Sequence, residues 1–584
     1  MKDFIKFTLA STFGIIISGC IFLLLGIVTI TSIITITDTD TTIKPNSILM
    51  LDFQGTLHER VQENPLLDIM EEDYQAHGLD DILCSIKKAK HNPYIRGIYL
   101  QAGPMEASLA SLEEIRNALK DFKESGKFVV AYGDQYSQGI YYLASIADKI
   151  IVNPQGSISW HGLASQPIFY KELLKKIGIE MQIFKVGIYK AAVEPFIATE
   201  MSDANRKQLT DHLHSIWSHL LENVSSSRNI PAEVLNKYAE EMLDLKQAEE
   251  YISLGLADTL LYKDGVLAYL KEMTGCNSNE KLHTLSPEDL ATGYQDLPQS
   301  DPSIAVYYAF GEISSNSSID ENIYSEKVIS DLRKLREDES IKAVVLRVNS
   351  PGGSAYASEQ IWREVSLLKT HKPVIVSMGD CAASGGYYIS CAADCIVAQP
   401  TTLTGSIGIF GMFPNAEKLL TDKLDLHFDM VKTHSLADMG DFTRPLNNTE
   451  KTAIQENVNR GYQLFVKRCA DGRGMDIEAL EEIAEGRIWT GITAKKLGLV
   501  DELGGLDKAL SIAAEKAGLV AYNTVHLPRK DDLFTILMNE FQQGYIGSKI
   551  LGSLDNHYDY VQFLRSLKHT DRIQARMPFD LYIQ

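Results

Sequence analysis

The chain has 584 residues, which is long enough for more than one domain with a large apolar core. Its 77 acidic residues outnumber the 56 basic ones, and this acidic balance argues against nucleic acid as a partner, because it gives no basic surface for phosphates. The seven cysteines are an odd number without zinc-ligand spacing, so we expect no metal or redox role for them. No cofactor is expected either.

The first 45 residues are predicted to form a membrane anchor. Lys2 and Lys6 precede an apolar run, residues 7–36, that carries no charge and is long enough to span a bilayer. Acidic residues follow it, so the positive-inside rule predicts a single-pass protein of the cytoplasmic (inner) membrane with its bulk on the outer, periplasmic side. A lipoprotein cleavage site at Ile17-Ser-Gly-Cys20 and a cleaved signal peptide are the alternatives, and the length of the run favours a retained anchor.

Alternating strand and helix patterns follow the anchor. Residues 47–53, 94–100 and 128–132 are apolar and β-rich, as buried strands are. Between the last two lies an amphipathic helix, whose start is predicted at a capping box formed by Ser111 and Glu114. The alternation predicts a right-handed βαβ arrangement with a largely parallel sheet.

The second half of the chain repeats the first at a nearly constant offset. Matching positions include Ile95 and Ile341, Ile115 and Ile361, Gly133-Asp134 and Gly379-Asp380, Tyr141-Tyr142 and Tyr387-Tyr388, and Ala147-Asp148 and Ala393-Asp394. This similarity predicts a tandem duplication of one α/β domain. We therefore divide the chain into an anchor (1–45), a first repeat (46–275), a linker (276–302), a second repeat (303–530) and a C-terminal tail (531–584). The tail suits packing, an oligomer contact or a membrane-surface contact equally well.

Ser384, in the second repeat, is the candidate nucleophile. It follows a strand-like run at 373–377 and several small residues, and an apolar helical segment comes after it. A serine at such a turn holds its hydroxyl near a helix N-terminus, whose partial positive charge suits a developing oxyanion. The alternative is a serine that caps the helix.

Paired glycines, Gly352 and Gly353, lie one helix and one strand before Ser384, as a βαβ unit requires. Glycines let backbone N–H groups approach a ligand closely, which an oxyanion hole needs, although an ordinary strand-to-helix turn would also use them. At the same offset the first repeat has Gln138 in place of the serine and Glu106-Ala107 in place of the glycines, so it keeps the fold without these groups.

Lys190, in the first repeat, has no lysine counterpart in the second. Its neighbours include Tyr189, Val193 and Phe196, so it can be partly buried, and desolvation favours the neutral amine that a general base requires. A surface lysine with a buried stem is the alternative.

Histidine is the usual base for a serine nucleophile, and His161, His427 and His434 remain candidates. Because none lies between His371 and His427, a pair formed by Ser384 and Lys190, one from each repeat, is the better hypothesis.

Taken together, these residues resemble the long, duplicated form of peptidase family S49, the signal peptide peptidase A (protease IV) family of the Clp-protease/crotonase-like superfamily. The resemblance rests on the anchor and on residues 189–196, 349–354, 383–387, 404–411 and 486–490. It implies an α/β fold, a tandem duplication of a Clp-protease/crotonase-like βαβ domain with an N-terminal transmembrane helix.

The resemblance also implies a membrane-anchored serine endopeptidase that degrades cleaved signal peptides and other apolar peptides as a homotetramer. Ser384 would be the nucleophile, Lys190 the base and Ser406 the residue that orients the lysine. We expect backbone N–H groups of Gly352, Gly353 and Gly385 to bind the oxyanion. The alternative function is a crotonase-like acyl-CoA enzyme, which shares the fold but needs no serine nucleophile. A non-catalytic scaffold would fit only the first repeat.

Overall fold

The structure is a computed structural model that describes residues 14, 17–19, 21, 43–61, 76–277, 279–292, 302–315, 322–530 and 573–577. Most of the predicted anchor and all of the predicted tail except residues 573–577 therefore lie outside the described residues. In the described part of the chain, no helix is long and apolar enough to cross a membrane.

The first half is built on a parallel sheet flanked by helices. Its strands are β1 (Ser47–His58), β2 (Ala76–Gly78), β3 (Ile95–Glu106), β4 (Phe128–Tyr136), β5 (Lys149–Ile158), β6 (Glu180–Lys185), β7 (Thr259–Leu260) and β8 (Thr284–Leu285). All except β6 belong to this sheet, in the order β2-β1-β3-β4-β5-β7 with β8 beside β1, and every pairing is parallel.

The helices of this half are α1 (Leu79–His91), α2 (Leu109–Lys123), α3 (Gln138–Ala144), α4 (Lys171–Ile177), α5 (Glu194–Ile197), α6 (Asp203–Arg228), α7 (Ala232–Tyr238), α8 (Ala248–Ser253), α9 (Lys263–Thr274) and α10 (Pro287–Thr292). Helix α1 shows why such segments fold. Asp80 and Asp81 lie in its first turn and Lys88 and Lys90 in its last, where each complements the helix dipole.

The second half repeats the plan. Its strands are β9 (Ser303–Phe310), β10 (Ile313–Ser314), β11 (Ile323–Tyr324), β12 (Ile341–Ser350), β13 (Gly352–Ser354), β14 (Val374–Ala383), β15 (Cys395–Ala398), β16 (Leu403–Gly405), β17 (Phe410–Asn415), β18 (Ile488–Thr490), β19 (Glu502–Leu503), β20 (Asn523–Leu527) and β21 (Ile573–Arg576). The main sheet runs β18-β16-β14-β12-β9-β20, with β15 between β14 and β19, and is parallel except where β16 meets β18.

Helices α11 (Ser325–Glu337), α12 (Ala355–Lys369), α13 (Gly385–Ser390), α14 (Asn448–Arg473), α15 (Ile477–Ile483), α16 (Gly491–Lys496) and α17 (Leu506–Ala517) complete this half. Its central strand is apolar on both faces: Val344 and Leu346 pack into one core cluster and Ala343 and Val345 into another. Continuous apolar runs are what a parallel sheet covered on both faces requires.

The tandem duplication is confirmed by the elements. Three elements of the second half begin at one and the same offset from their counterparts in the first: β12 (Ile341) from β3 (Ile95), α12 (Ala355) from α2 (Leu109), and β14 (Val374) from β4 (Phe128). This is the offset that relates the matching positions of the sequence. Both halves therefore have the predicted α/β fold.

A third sheet joins the halves. Its strand order is β11-β10-β13-β21-β17-β6, so β6 leaves the first half and pairs antiparallel with β17 of the second, from Lys185 opposite Phe410 to Glu180 opposite Asn415. The chain that follows β6 is thereby carried to the carboxyl ends of the second half's parallel strands, where ligand sites of such sheets lie.

The capping box predicted at Ser111 and Glu114 is wrong, because α2 begins earlier. Its N-cap is Ser108, whose hydroxyl accepts from the Ser111 N–H at 3.1 Å. Ser111 and Glu114 instead bond to the second half: the Ser111 hydroxyl donates to Asp380 at 2.7 Å, and the Glu114 carboxylate accepts from Arg347 at 2.9 Å.

Arg347 is the centre of this contact between the halves. It is 2% exposed and donates to both carboxylate oxygens of Glu59, at 2.9 and 3.0 Å, and to the Ser377 hydroxyl at 3.0 Å. A buried guanidinium shared by two carboxylates of the other half fixes how the halves meet.

Part of the segment predicted as a linker, 276–302, is structured. Strand β8 pairs with β1, and α10 packs on α1, where the Lys88 amine donates to the Leu290 carbonyl at 2.9 Å. Leu285 and Leu290 belong to the first core. The described part of this segment is therefore an integral layer of the first half.

Candidate active site

Ser384 lies in a strained turn between β14 and α13. It is fully buried, and its backbone angles (φ 55°, ψ −113°) are rare for a residue other than glycine. Hydrogen bonds hold the turn, from the Ser384 N–H to the Gly405 carbonyl and from the Tyr388 N–H to the Ser384 carbonyl, both at 2.8 Å. Within the described residues its hydroxyl makes no capping bond to α13. The strained turn therefore holds the hydroxyl for another partner.

That partner is Lys190. Its amine lies 2.7 Å from the Ser384 Oγ, 3.1 Å from the Ser406 Oγ and 3.0 Å from the Ser406 carbonyl oxygen. All three side chains are fully buried. Burial lowers the pKa of Lys190 well below its ordinary value, because the site removes the hydration that an ammonium needs. The structure thus brings together Ser384, Lys190 and Ser406, from both halves of one chain.

Glycines leave the room that Lys190 occupies. A Cβ on Gly486 would lie 2.6 Å from the Lys190 Cβ and 2.7 Å from its Cα, and one on Gly408 would lie 3.1 Å from its Cδ. Gly486 also has a φ of +79°, in the left-handed region that favours glycine. The two glycines therefore pack directly against the lysine, Gly486 at its backbone and Cβ and Gly408 at its Cδ.

Helix α6 supports the same segment. The Gln208 side chain donates to the Tyr189 carbonyl at 3.1 Å and accepts from the Ile488 N–H at 3.3 Å, which links the lysine segment to β18. Gln208 and Gly486 hold Lys190 in place, and the sequence reasoning assigned neither this role. The motif at residues 486–490, which contributed to the family resemblance, could have drawn attention to Gly486. No sequence pattern indicated a role for Gln208.

The glycines predicted for an oxyanion hole lie beside Ser384. Gly352 and Gly353 adopt positive φ angles of +100° and +155°, and Gly385 begins α13 directly after the serine. A Cβ on Gly352 would lie 2.7 Å from the Gly385 nitrogen, so only glycine lets the two segments approach this closely. The Gly352 N–H donates to the Ser350 hydroxyl at 3.1 Å. Of the three predicted donors, Gly352 therefore already has a partner for its N–H.

The candidate histidines lie at the surface, unlike Ser384. His161, His427 and His434 are all exposed, and His427 lies 3.6 Å from the carboxylate of Asp425. Ser384 is buried and contacts Lys190 instead.

The corresponding turn of the first half is closed. The Gln138 side chain accepts from the N–H groups of His161 and Gly162 and donates to the Gly162 carbonyl, all at 3.0 Å. An amide that bonds the neighbouring backbone in this way leaves neither a nucleophile nor space for one.

Two family models match the chain. The model of peptidase family S49 matches twice, at residues 121–277 and 366–520, and the Clp protease model matches residues 301–401. The chain belongs to peptidase family S49. The double match agrees with the duplication, and the family favours the peptidase over the acyl-CoA enzyme.

Three named proteases are similar to this chain over most of its length. Protease 4 of Salmonella typhi is 38% identical over 510 residues, 84% of this chain and 81% of that protein. Protease 4 of Haemophilus influenzae is 38% identical over 449 residues, 74% of this chain and 72% of that protein. The chloroplastic serine protease SPPA of Arabidopsis thaliana is 34% identical over 504 residues, 84% of this chain and 72% of that protein. The present chain is a serine protease of this family.

Proposed function

We propose that this S49 peptidase is a membrane-anchored serine endopeptidase in which Ser384 and Lys190 form a catalytic dyad. One observation carries the proposal: the Lys190 amine lies 2.7 Å from the Ser384 hydroxyl in a site where both are buried. A buried lysine with a lowered pKa is a suitable base, because burial favours the neutral amine that can accept a proton.

Ser406 orients the lysine. A neutral amine has two N–H groups and one lone pair, and the carbonyl and hydroxyl oxygens of Ser406 lie where they accept the two N–H groups. The lone pair is then left for the proton of Ser384. Ser384 attacks the peptide carbonyl, and the Lys190 ammonium that results protonates the leaving amine.

The acyl-enzyme is hydrolysed by the same groups. Lys190 takes a proton from water, the hydroxide attacks the ester carbonyl, and Ser384 leaves with the proton restored. The N–H groups of Gly353 and Gly385 bind the oxyanion at both stages. One such donor contributes about 3–4 kcal/mol to transition-state stability in comparable sites. The scheme uses neither a metal nor a cofactor.

Cleaved signal peptides and other apolar peptides are the proposed substrates. This part of the proposal rests on the family resemblance and on the apolar run at residues 7–36, which would hold the enzyme at the cytoplasmic membrane with its bulk on the outer side. An enzyme so placed meets membrane-derived apolar peptides at short range.

Exposed apolar side chains support a homotetramer. In the irregular segment after β17, eight large apolar side chains are more than two-fifths exposed: Leu424, Leu426, Phe428, Met430, Val431, Leu436, Met439 and Phe442. A concentration of this kind marks a protein or membrane contact. Light scattering should give a tetramer for the wild type and smaller species for Phe428→Asp/Val431→Asp, whereas a wild-type monomer would contradict the assignment.

Hydrolysis of an apolar fluorogenic peptide tests the dyad. We expect Ser384→Ala and Lys190→Met each to lower kcat/KM by at least about 10³-fold, since each removes a group that acts as a unit with the other. Lys175→Met is the matched control, because that side chain is 77% exposed, and it should retain full activity. Circular dichroism checks folding.

The outcomes separate the hypotheses. If Lys190→Met stays active while Ser384→Ala does not, the base lies elsewhere and the dyad is wrong. If a serine-reactive phosphonate fails to label Ser384 and the chain binds coenzyme A tightly, the acyl-CoA enzyme replaces the peptidase.

A further inference from the structure

Asn349 connects the segment of the paired glycines to the strand that leads to Ser384. Its side-chain oxygen accepts from the Cys381 N–H at 3.1 Å, and its side-chain nitrogen donates to the Asp380 carboxylate at 3.0 Å. Asn349 lies three residues before Gly352, and Cys381 lies three residues before Ser384. One side chain therefore joins the two segments that must meet at a reacting carbonyl group.

The Asn349 amide lies at an irregular part of the second half's sheet. The pairing of β12 with β14 is interrupted between Val348 and Ser350, where three residues of β14 lie opposite Asn349 alone. Such a bulge disrupts the hydrogen-bond ladder and bends the strand that carries the extra residues. Asn349 supplies the acceptor that the Cys381 N–H needs there, so the course of β14 into the Ser384 turn depends on this side chain.

The turn that follows Asn349 packs directly on helix α13. A Cβ on Gly386 would lie 2.7 Å from the Ser350 carbonyl oxygen, and a Cβ on Gly352 would lie 2.7 Å from the Gly385 nitrogen. Backbone segments this close leave no free space between them. A shift at Asn349 is therefore transmitted to the residues around the proposed oxyanion site.

The first half holds the other groups that Asn349 contacts. The Asp380 carboxylate accepts from the Ser111 hydroxyl at 2.7 Å and from the Ser111 N–H at 3.1 Å. The Asn349 amide also donates to the Glu59 carboxylate at 3.2 Å, and Arg347 donates twice to Glu59. Groups of both halves therefore fix Asn349 in one orientation.

The half without a nucleophile lacks this side chain. At the offset that relates the two halves, Gly103 stands in place of Asn349, whereas Asp134 is the counterpart of Asp380. Asp134 accepts from the Asn153 amide at 2.8 Å instead. Of the two halves, the one that has the asparagine is therefore the one that has a serine to position.

We propose that Asn349 is a positioning residue, which sets the distance between the Gly353 N–H and the Ser384 hydroxyl. The inference rests on the proposed dyad and oxyanion site. Without the amide, the Cys381 N–H and the Asp380 carboxylate each lose a partner, and the strand that carries Ser384 shifts relative to Gly353. A displacement on the order of 1 Å between such groups costs about 10²-fold in rate.

Steady-state hydrolysis of the fluorogenic peptide by the full chain tests this role. Asn349→Ala should lower kcat about 10²-fold and leave KM within about threefold, because the substrate keeps its contacts while the transition state loses a well-placed donor. A peptide aldehyde of the same sequence, which forms an oxyanion on Ser384, should bind more weakly by the same factor. A merely structural effect would instead lower the number of active sites, counted by complete labelling with a serine-reactive phosphonate.

Asn153→Ala is the matched control. It removes the same kind of bond from Asp134, in the half that has no nucleophile, and should keep the wild-type kcat and KM. Circular dichroism checks that each variant folds. If Asn349→Ala does not fold, Asn349→Gly takes its place, because strand β3 of the first half has Gly103 at the matching position.

Each outcome has a definite meaning. An active wild type with an equally active Asn349→Ala overturns the positioning role and leaves the proposed function standing. A rise in KM at unchanged kcat, an equal loss in Asn153→Ala, or unfolding of both Asn349 variants also overturns the positioning role. A wild type without activity overturns the proposed function together with this inference.

Discussion

Gly486 offers a sharp test of how Lys190 is positioned, because its substitution touches the lysine without changing any reacting group. In Gly486→Ala the added Cβ would lie 2.6 Å from the Lys190 Cβ and 2.7 Å from its Cα and backbone nitrogen. Backbone atoms cannot swing aside as the end of a side chain does. The lysine segment, the Gly486 turn or both must therefore move.

The expected effect has two parts. Placing alanine at a φ of +79° costs roughly 1–2 kcal/mol of stability, because the Cβ crowds the following carbonyl. Relieving three contacts below 3.0 Å requires a displacement on the order of 1 Å, and a misplacement of that size costs about 10²-fold in rate. That loss corresponds to about 2.7 kcal/mol in the activation barrier.

Gly126 separates the two parts. Its φ is +78°, and among the described residues nothing lies within 4 Å of an added Cβ. Gly126→Ala should therefore lose similar stability in thermal unfolding and keep its kcat/KM on the fluorogenic peptide, whereas Gly486→Ala should lose about 10²-fold. If Gly486→Ala remained within threefold of Gly126→Ala, the packing of Gly486 would not position the base.

Three further predictions concern charge. The kcat/KM should fall on acidification, because Lys190 gains a proton and can no longer act as a base. Lys190→Arg should be inactive at every pH, because a guanidinium keeps its proton. Wild-type activity that is unchanged down to pH 5 would count against Lys190 as the base. Burial raises the pKa of Glu59 to about 7 despite Arg347, so the contribution of Glu59 to stability is full below about pH 4.5 and is lost as the pH rises through 7. In urea unfolding, the stability of Glu59→Gln should therefore depend less on pH than that of the wild type. The same pH dependence in both proteins would contradict this. Arg347→Met should lower the free energy of unfolding by about 3–5 kcal/mol, because it leaves Glu59 and Glu114 without their cation. The control is Arg333→Met, whose wild-type side chain is 54% exposed and which should lose under about 0.5 kcal/mol. Equal losses for the two variants would refute this.

The duplicated sheets could be predicted because their signals are local. A parallel strand covered on both faces is an apolar run such as Val344 to Leu346, and a duplication appears as a constant offset. The residues brought together in the site, Ser384 and Lys190, were also named from sequence, because the two repeats differ at those positions and chemistry requires a nucleophile and a base.

Long-range pairing could not be predicted in the same way. The antiparallel contact of β6 with β17 joins segments from opposite halves of the chain, and nothing in the pattern of either strand names its partner. The pairing of β21 with β13 and β17, and the hydrogen bonds of Gln208 to Tyr189 and Ile488, could not be predicted for the same reason. Ser111 and Glu114 had capping-box spacing, yet bonds to Asp380 and Arg347 of the other half use their side chains instead.

The two halves differ at the segment that faces the catalytic turn, and both halves contribute residues to the site in the second half. Tyr136 pairs with Ile158 in the first half, and their counterparts Ala382 and Thr404 pair in the second, so Gly162 corresponds to Gly408. Gly408 borders the Lys190 side chain, whereas the N–H of its counterpart Gly162 donates to the amide oxygen of Gln138.

A serine at position 138 would therefore have no base beside it. We expect the double variant Gln138→Ser/Ser384→Ala to be as inactive as Ser384→Ala on the fluorogenic peptide. It should also take up no serine-reactive phosphonate, with the wild type as the labelled control. Phosphonate at position 138 would show that the fold of the first half alone activates a serine, and that the lysine carried across by β6 is not what makes the second half catalytic.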